Sequence, residues 1–214
     1  MKWNDHYNDI PEGTHALLGA SQHSWLNYDQ DKLFSAYRRR YSTAIGTLTH
    51  DYARKYIKHG IRANRGDKNG LLVHLLDNHI PANVIDINGL FKTWQLYVND
   101  AVQARMRPEQ PLFYSRNAFG TADAIAFRKE KLSVYDLKTG SSPVSMEQLY
   151  IYAALFCLEY DYKPSSIDIE TRIYQLGECV IERPTAEDIL PIMDAIVTGD
   201  ELIEQYRSEG QYEP

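Results

Sequence analysis

Apolar residues recur at helical spacing through the first hundred positions and then begin to alternate. Ile45, Leu48, Tyr52 and Tyr56 lie three and four apart, which predicts a helix over residues 43–59 with Gly60 as its stop. A short helix capped by Ser21 carries Trp25 and Leu26, and another covers 30–41. Residues 62–70 read as a polar loop. Helices follow over 71–79 and 83–106, the latter with Trp94, Val98 and Val102 on one stripe. Beyond Pro108 and Pro111 the period falls to two, so 112–117, 121–127 and 132–138 read as strands. Then come a strongly apolar helix over 145–160, strands over 167–175 and 179–182 about a turn at Gly177, and a closing amphipathic helix over 185–206. This order predicts an α/β fold, with a helical N-terminal region over 1–107 and an α/β core over 108–214, together one compact unit.

Candidate chemistry lies in the alternating stretch. If 121–138 folds as a hairpin turning at Lys129-Glu130, Phe127 opposes Leu132, Ile125 opposes Val134 and Asp123 opposes Asp136. One face is then apolar and ends in two carboxylates, and a slip of one residue destroys the match. The turn lacks the Asn-Gly or Asp-Gly pair that a tight hairpin prefers. Opposed carboxylates at the edge of a buried face repel unless a positive charge lies between them. Lys138, two positions beyond Asp136, shares its face. A magnesium ion bridged by both aspartates accounts for all three, since magnesium takes one or two carboxylates plus waters and phosphate oxygens. The bland alternative is a surface hairpin with an ordinary Asp136–Lys138 ion pair.

Three other residues carry two readings each. His50, with Gly46 and Arg54 one turn away, reads as a structural or solvated helical histidine, although Gly46 would let another backbone or a ligand approach closely. Gln148 either closes a capping box with Ser145 or turns toward the site, and Tyr152 shares its helix face as a core residue or a partner.

Composition narrows the function classes. The 214 residues are 43% hydrophobic and 12% aromatic, with sixteen tyrosines, which excludes global disorder. No apolar run reaches a membrane span, the N-terminus lacks a signal-peptide pattern, and two cysteines provide no four-cysteine cluster, so a reducing cytoplasm is expected. The net charge of −6 is unevenly placed: ten Lys/Arg against three Asp/Glu over 31–68, and four against fifteen from Glu147 onward. Such asymmetry fits a basic surface for a polyanion, or simply solvated helix faces. On the first reading Arg38, Arg39, Arg40, Arg54, Lys55, Lys58, Arg62 and Arg65 track a phosphate backbone, and Trp25, Tyr37 or Tyr41 stack on an unpaired base.

Gly46 with His50, Gly120-Thr121-Ala122-Asp123, Asp136-Leu137-Lys138-Thr139 and Gln148-Leu149-Tyr150-Ile151-Tyr152 stand in an order that resembles the RecB-like branch of the PD-(D/E)XK nucleases. That branch includes CRISPR-adaptation nucleases and phage recombination exonucleases. The resemblance implies a restriction-endonuclease-like core, a mixed sheet flanked by helices. It implies magnesium or manganese ligation by His50, Asp123, Asp136 and the Leu137 carbonyl, and water orientation or activation by Lys138. Gln148 and Tyr152 take supporting roles. Some relatives hold an iron–sulfur cluster on four cysteines and larger ones carry helicase domains; this sequence has neither. The implied function is a DNA exonuclease of phage or bacterial recombination and repair, acting on linear ends or single strands beside a strand-annealing or recombination protein. The alternatives are a catalytically silent nuclease-like module that binds DNA or protein, and a restriction-type endonuclease.

Overall fold

The computed structural model describes residues 16–21 and 23–210. The chain divides into two compact units, Met1–Thr43 and Ala44–Pro214. In the first, a 3-10 turn spans His23–Asn27, and the Trp25 indole N–H donates to the Gly19 carbonyl at 3.0 Å. Helix α1, Gln30–His59, begins in this unit and ends in the second. Two helices were expected here. Neither Gly nor Pro interrupts 42–43, and Ser or Thr inside a helix costs only about half a kcal/mol relative to Ala, so the helix continues.

In the second unit the buried side of α1 is Thr49, Ala53 and Ile57, turned one position from the expected Ile45–Leu48–Tyr52 stripe. Helix α2 is Asp67–Asp77 and starts earlier than the polar character of 62–70 predicts. Asp67 makes that start, accepting the Asn64 N–H at 2.7 Å and the Tyr56 hydroxyl at 2.9 Å. Helix α3, Ile87–Gln103, is shorter than its expected range because Asp86 caps it, accepting the Gly89 N–H at 3.1 Å.

Five strands form one mixed sheet in chain order: β1 Arg107–Ser115, β2 Ala118–Arg128, β3 Lys131–Leu137, β4 Asp168–Gln175 and β5 Glu178–Glu182. All neighbouring pairs are antiparallel except β3–β4, which is parallel and joined through α4, Glu147–Tyr160. Strand β1 begins before both prolines instead of after them. As an edge strand it has one side free of ladder bonds, where a missing N–H costs nothing. Central β3 is buried from Leu132 to Leu137, as a strand covered on both faces must be.

The β2–β3 register has Phe127 opposite Leu132 and Ile125 opposite Val134, as expected; the third expected pair, Asp123 with Asp136, lies just beyond the last paired residues, Ala124 and Tyr135. The turn uses Lys129 and Glu130 with φ of 50° and 60°, the two positive values a two-residue primed turn needs, without glycine or asparagine.

Helix α4 and α5, Ala186–Ser208, cover one face of the sheet, where Leu149, Ala153, Phe156 and Ile189 pack on Ile125, Leu132, Val134 and Ile173. The other face meets α3 and the end of α1, with Trp94, Tyr97, Val98 and Ile57 grouped with Ala124, Tyr135, Leu137 and Tyr174. On β4, Glu170 is 2% exposed and bonds Lys131 at 2.9 Å, Arg172 at 2.9 Å and Arg183 at 3.3 Å. Burial alone would raise this carboxyl; Lys131 and Arg172 outweigh it and hold the pKa at about 2. Among the described residues no helix is long and apolar enough to cross a membrane.

Candidate functional site

Strand β3 ends its buried run in Asp136, 3% exposed, and Leu137. The Lys138 N–H still donates to the Tyr174 carbonyl at 2.9 Å, so strand-like bonding extends one residue and the Lys138 side chain falls beside Asp136. Its Nζ donates to Asp136 Oδ1 at 3.0 Å and to Gln148 Oε1 at 2.8 Å. Gln148 Nε2 in turn donates to the Tyr152 hydroxyl at 3.1 Å. The capping box considered for Ser145 and Gln148 does not form: Met146 holds the N-cap position, and Ser145 Oγ accepts the Glu147 N–H at 3.1 Å. Tyr152 packs against Gly120, where an added Cβ would lie 2.9 Å from the ring.

Asp123 closes the β2–β3 hairpin. The ladder's last backbone pair is Ala124 with Tyr135, and one step further the Leu137 N–H donates to Asp123 Oδ2 at 3.0 Å. His50 Nδ1 lies 3.3 Å from the same oxygen. An imidazole donating from Nδ1 keeps Nε2 as an acceptor when neutral. Gly46 makes this approach of α1 feasible, since a Cβ there would sit 3.2 Å from Thr139 Oγ1. His50 therefore faces the carboxylates, and the solvated reading does not describe it.

Glu109, which the sequence reading missed, joins them. Its β1 neighbours pair as Pro108 with Ala124 and Gln110 with Ala122, which sets Glu109 across from Asp123. Its φ of 50° is left-handed inside a strand, a conformation costing of the order of 1–3 kcal/mol for a non-glycine residue. Side-chain alternation lapses at the same point, since Ala122 and Ile125 both pack on the α4 side. Ligand atoms of His50, Glu109 and Asp123 all lie within 4.8 Å of one another. They line an open cleft of about 460 Å³ with Thr47, Asp51 and Arg54.

Crowded carboxylates perturb one another. Burial pushes the Asp136 carboxyl above its ordinary pKa, the charge of Asp123 adds to the rise, and Lys138 opposes it. Glu109 is likewise raised, by burial and then by Asp123. For His50, burial acts downward, but the Asp123 hydrogen bond and the charges of Asp123, Asp136 and Glu109 win, and its pKa is raised. Asp136 Oδ2 is buried with no hydrogen-bond partner. An unpartnered carboxylate oxygen beside a second carboxylate is unfavourable unless a cation satisfies it. Oxygen donors with one imidazole could hold a hard divalent ion of the magnesium or manganese type.

The chain matches no family model, no curated protein sequence and no solved structure.

Of the residues singled out from the sequence, His50, Asp123, Asp136, Leu137, Lys138, Gln148 and Tyr152 are joined by the contacts above. Arg54 lines the cleft and pairs with Asp51 at 3.2 Å, while Lys55 is exposed beside it on α1. Arg38, Arg39 and Arg40 are exposed in the first unit, where Arg38 stacks over Phe34 at 6.0 Å.

Proposed function

We propose that the protein is a metal-dependent deoxyribonuclease with a RecB-like PD-(D/E)XK core, cutting DNA phosphodiester bonds from linear ends. The observation that carries this reading is Asp136: a buried carboxylate with one oxygen on Lys138 and the other unpartnered, which with Asp123 immediately follows the last β2–β3 pair, Ala124 and Tyr135. A purely structural ion pair has no use for a second carboxylate that raises the energy of the first. Asp123, Asp136, the Leu137 carbonyl and His50 are the residues that would hold magnesium or manganese. Bound there, such an ion supplies a water acidified toward neutral pH and polarises a phosphoryl oxygen.

The chain's own groups do the rest. Lys138 Nζ, fixed between Asp136 and Gln148, presents an ammonium to the attacking water and to the charge that develops on phosphorus-bound oxygens. Gln148 positions that ammonium, and Tyr152 positions Gln148. Asp123, tied to the Leu137 N–H, keeps its carboxylate from rotating away from Asp136. Arg54, at the cleft wall, and the exposed Lys55 offer charge to the DNA backbone, and Arg38, Arg39 and Arg40 are the exposed basic candidates of the first unit. Phage or bacterial recombination, beside a strand-annealing or recombination protein, is the setting this reading proposes.

The test compares end-labelled linear duplex, single strands and covalently closed circles, with and without magnesium. Magnesium-dependent release of label from linear DNA, with closed circles spared, is expected. Closed circles cut as fast as linear duplex would instead indicate an endonuclease. Binding of DNA without cleavage in any metal would indicate a nuclease-like binding module.

A further inference from the structure

We infer that Phe113 and Phe119 form a stacking platform for unpaired nucleobases, which holds the single-stranded part of a DNA strand cut beside Asp123 and Asp136. The inference rests on the nuclease reading above and names the substrate class it takes, and its test separates the two.

Position is the first ground. Phe113 on β1 and Phe119 on β2 stand directly opposite each other. Leu112 and Tyr114 on one strand, and Ala118 and Ala122 on the other, pack on the α4 side of the sheet. Gly120 lies against Tyr152 of that same helix. Strand alternation therefore turns both phenylalanines to the opposite face, where Asp123 meets His50. Four residues of β2 carry Phe119 away from Asp123, about 13 Å at the rise of a strand. A few nucleotides of an extended strand cover that span, so a base on the rings and a phosphate at the carboxylates can belong to one chain.

Ring geometry is the second. The two rings lie 6.3 Å apart between centroids and are inclined by only 24°. They are also 51% and 66% exposed. Support of the hairpin does not call for this, since β-branched pairs support strands as well, and apolar surface left in water is unfavourable. Flat aromatic faces accept bases of any sequence, because every base has a π-face. In a duplex those faces are covered by neighbouring base pairs, so the platform selects unpaired bases.

Charge is the third. Arg116, exposed in the turn between β1 and β2, is three residues from each phenylalanine. It offers a cation to the phosphates that flank a stacked base.

Fluorescence anisotropy on the full chain tests this, in calcium so that binding is read without cleavage. The probes are an oligothymidylate, an abasic strand of the same length and a blunt duplex. The proteins are wild type, the double variant Phe113→Leu with Phe119→Leu, and Phe119→Trp. Leucine keeps apolar bulk on the strands and removes the π-faces. Wild type is expected to bind oligothymidylate at least about tenfold tighter than the abasic strand. The double leucine variant should lose that preference and keep its affinity for abasic strand and duplex. Phe119→Trp should retain the preference, and its added indole emission should be quenched by oligothymidylate but not by the abasic strand. Equal wild-type affinity for the two strands, or a preference that the leucine pair leaves intact, overturns the platform, while magnesium-dependent cleavage keeps the nuclease reading. A leucine pair that weakens all three DNAs alike and lowers the oligomeric state in sedimentation also overturns it, and makes the aromatic pair an interface between copies. No binding of wild type to any of the three, with no cleavage of linear DNA in magnesium, overturns both.

Discussion

Asp123 and Leu137 are joined across β2 and β3 by a side chain that takes the place of backbone: Oδ2 of the aspartate accepts the Leu137 N–H at 3.0 Å. The ladder's last main-chain pair is Ala124–Tyr135, so this bond closes the sheet at the point where the carboxylates gather. Asp123 thus has a folding role alongside its proposed metal role, and the two can be separated.

Asp123→Asn keeps an oxygen for the Leu137 N–H and should unfold close to wild type in urea. Asp123→Ala leaves that N–H unpaired and should cost about 1–3 kcal/mol more. Both variants should lose metal-dependent cleavage. Equal stability of the two would show that the bond contributes nothing to the fold.

Gly120 offers a test of the Tyr152–Gln148–Lys138 chain that leaves all three of its residues in place. A methyl group at Gly120 would meet the Tyr152 ring at 2.9 Å, so the ring must shift, which is expected to weaken the bond from Gln148 Nε2 to its hydroxyl. Gly120→Ala should lower the cleavage rate about tenfold and cost about 1–3 kcal/mol of stability through overpacking. Unchanged rate together with lowered stability would remove Tyr152 from the functional set.

The β2–β3 register was readable because one face of the hairpin is apolar and one is not. Phe127–Leu132 and Ile125–Val134 leave a single pairing that buries both. That register carried Asp123 and Asp136 into view together. Gln148 was undecided because its partner, Lys138, lies on another element, whereas the competing partner Ser145 was local. Glu109 was missed because Pro108 and Pro111 look like strand breakers. Only the place of β1 at the sheet edge admits them, and edge position is a property of the whole sheet. Strain at φ 50° leaves no mark in a residue type that ordinarily avoids it.

Turn chemistry gives a prediction remote from the site. Glu130 holds φ of 60°, and removing its Cβ relieves a left-handed conformation worth about 1–2 kcal/mol. Glu130→Gly should raise the urea midpoint by a corresponding amount, less what the freer unfolded chain returns, and leave cleavage unchanged. A lower midpoint would mean that the Glu130 side chain stabilises the turn more than its backbone strains it.

The titrating groups act in opposite directions. Glu170, held down at about pKa 2, stabilises the fold above its unfolded pKa, and this is lost as pH falls through the folded value. His50 has a raised folded pKa, so its contribution is complete below its unfolded value near about 6.5 and is lost as pH rises through the raised one. Asp136 and Glu109, also raised, favour the fold when protonated and penalise it once both ionise. Metal-free protein should therefore melt higher just below neutral pH than above it, and His50→Ala should flatten that rise. Manganese affinity should run the other way, weakening as pH falls, because protons compete for the same donors. Melting curves across pH in chelator, and manganese titrations at the same pH values, check both directions; equal affinity at pH 6 and pH 8 would contradict the assignment.

Asp136 carries the central claim, and the most direct measurement compares Asp136→Ala with wild type for binding and cleavage of one end-labelled linear duplex. Binding is read in calcium, which occupies hard oxygen sites with irregular geometry, and cleavage in magnesium and manganese. If Asp136 serves the cation, cleavage should fall at least a thousandfold, about 4 kcal/mol of transition-state stabilisation, while DNA affinity stays within a few fold. Near-normal magnesium-dependent cleavage by Asp136→Ala would contradict the account.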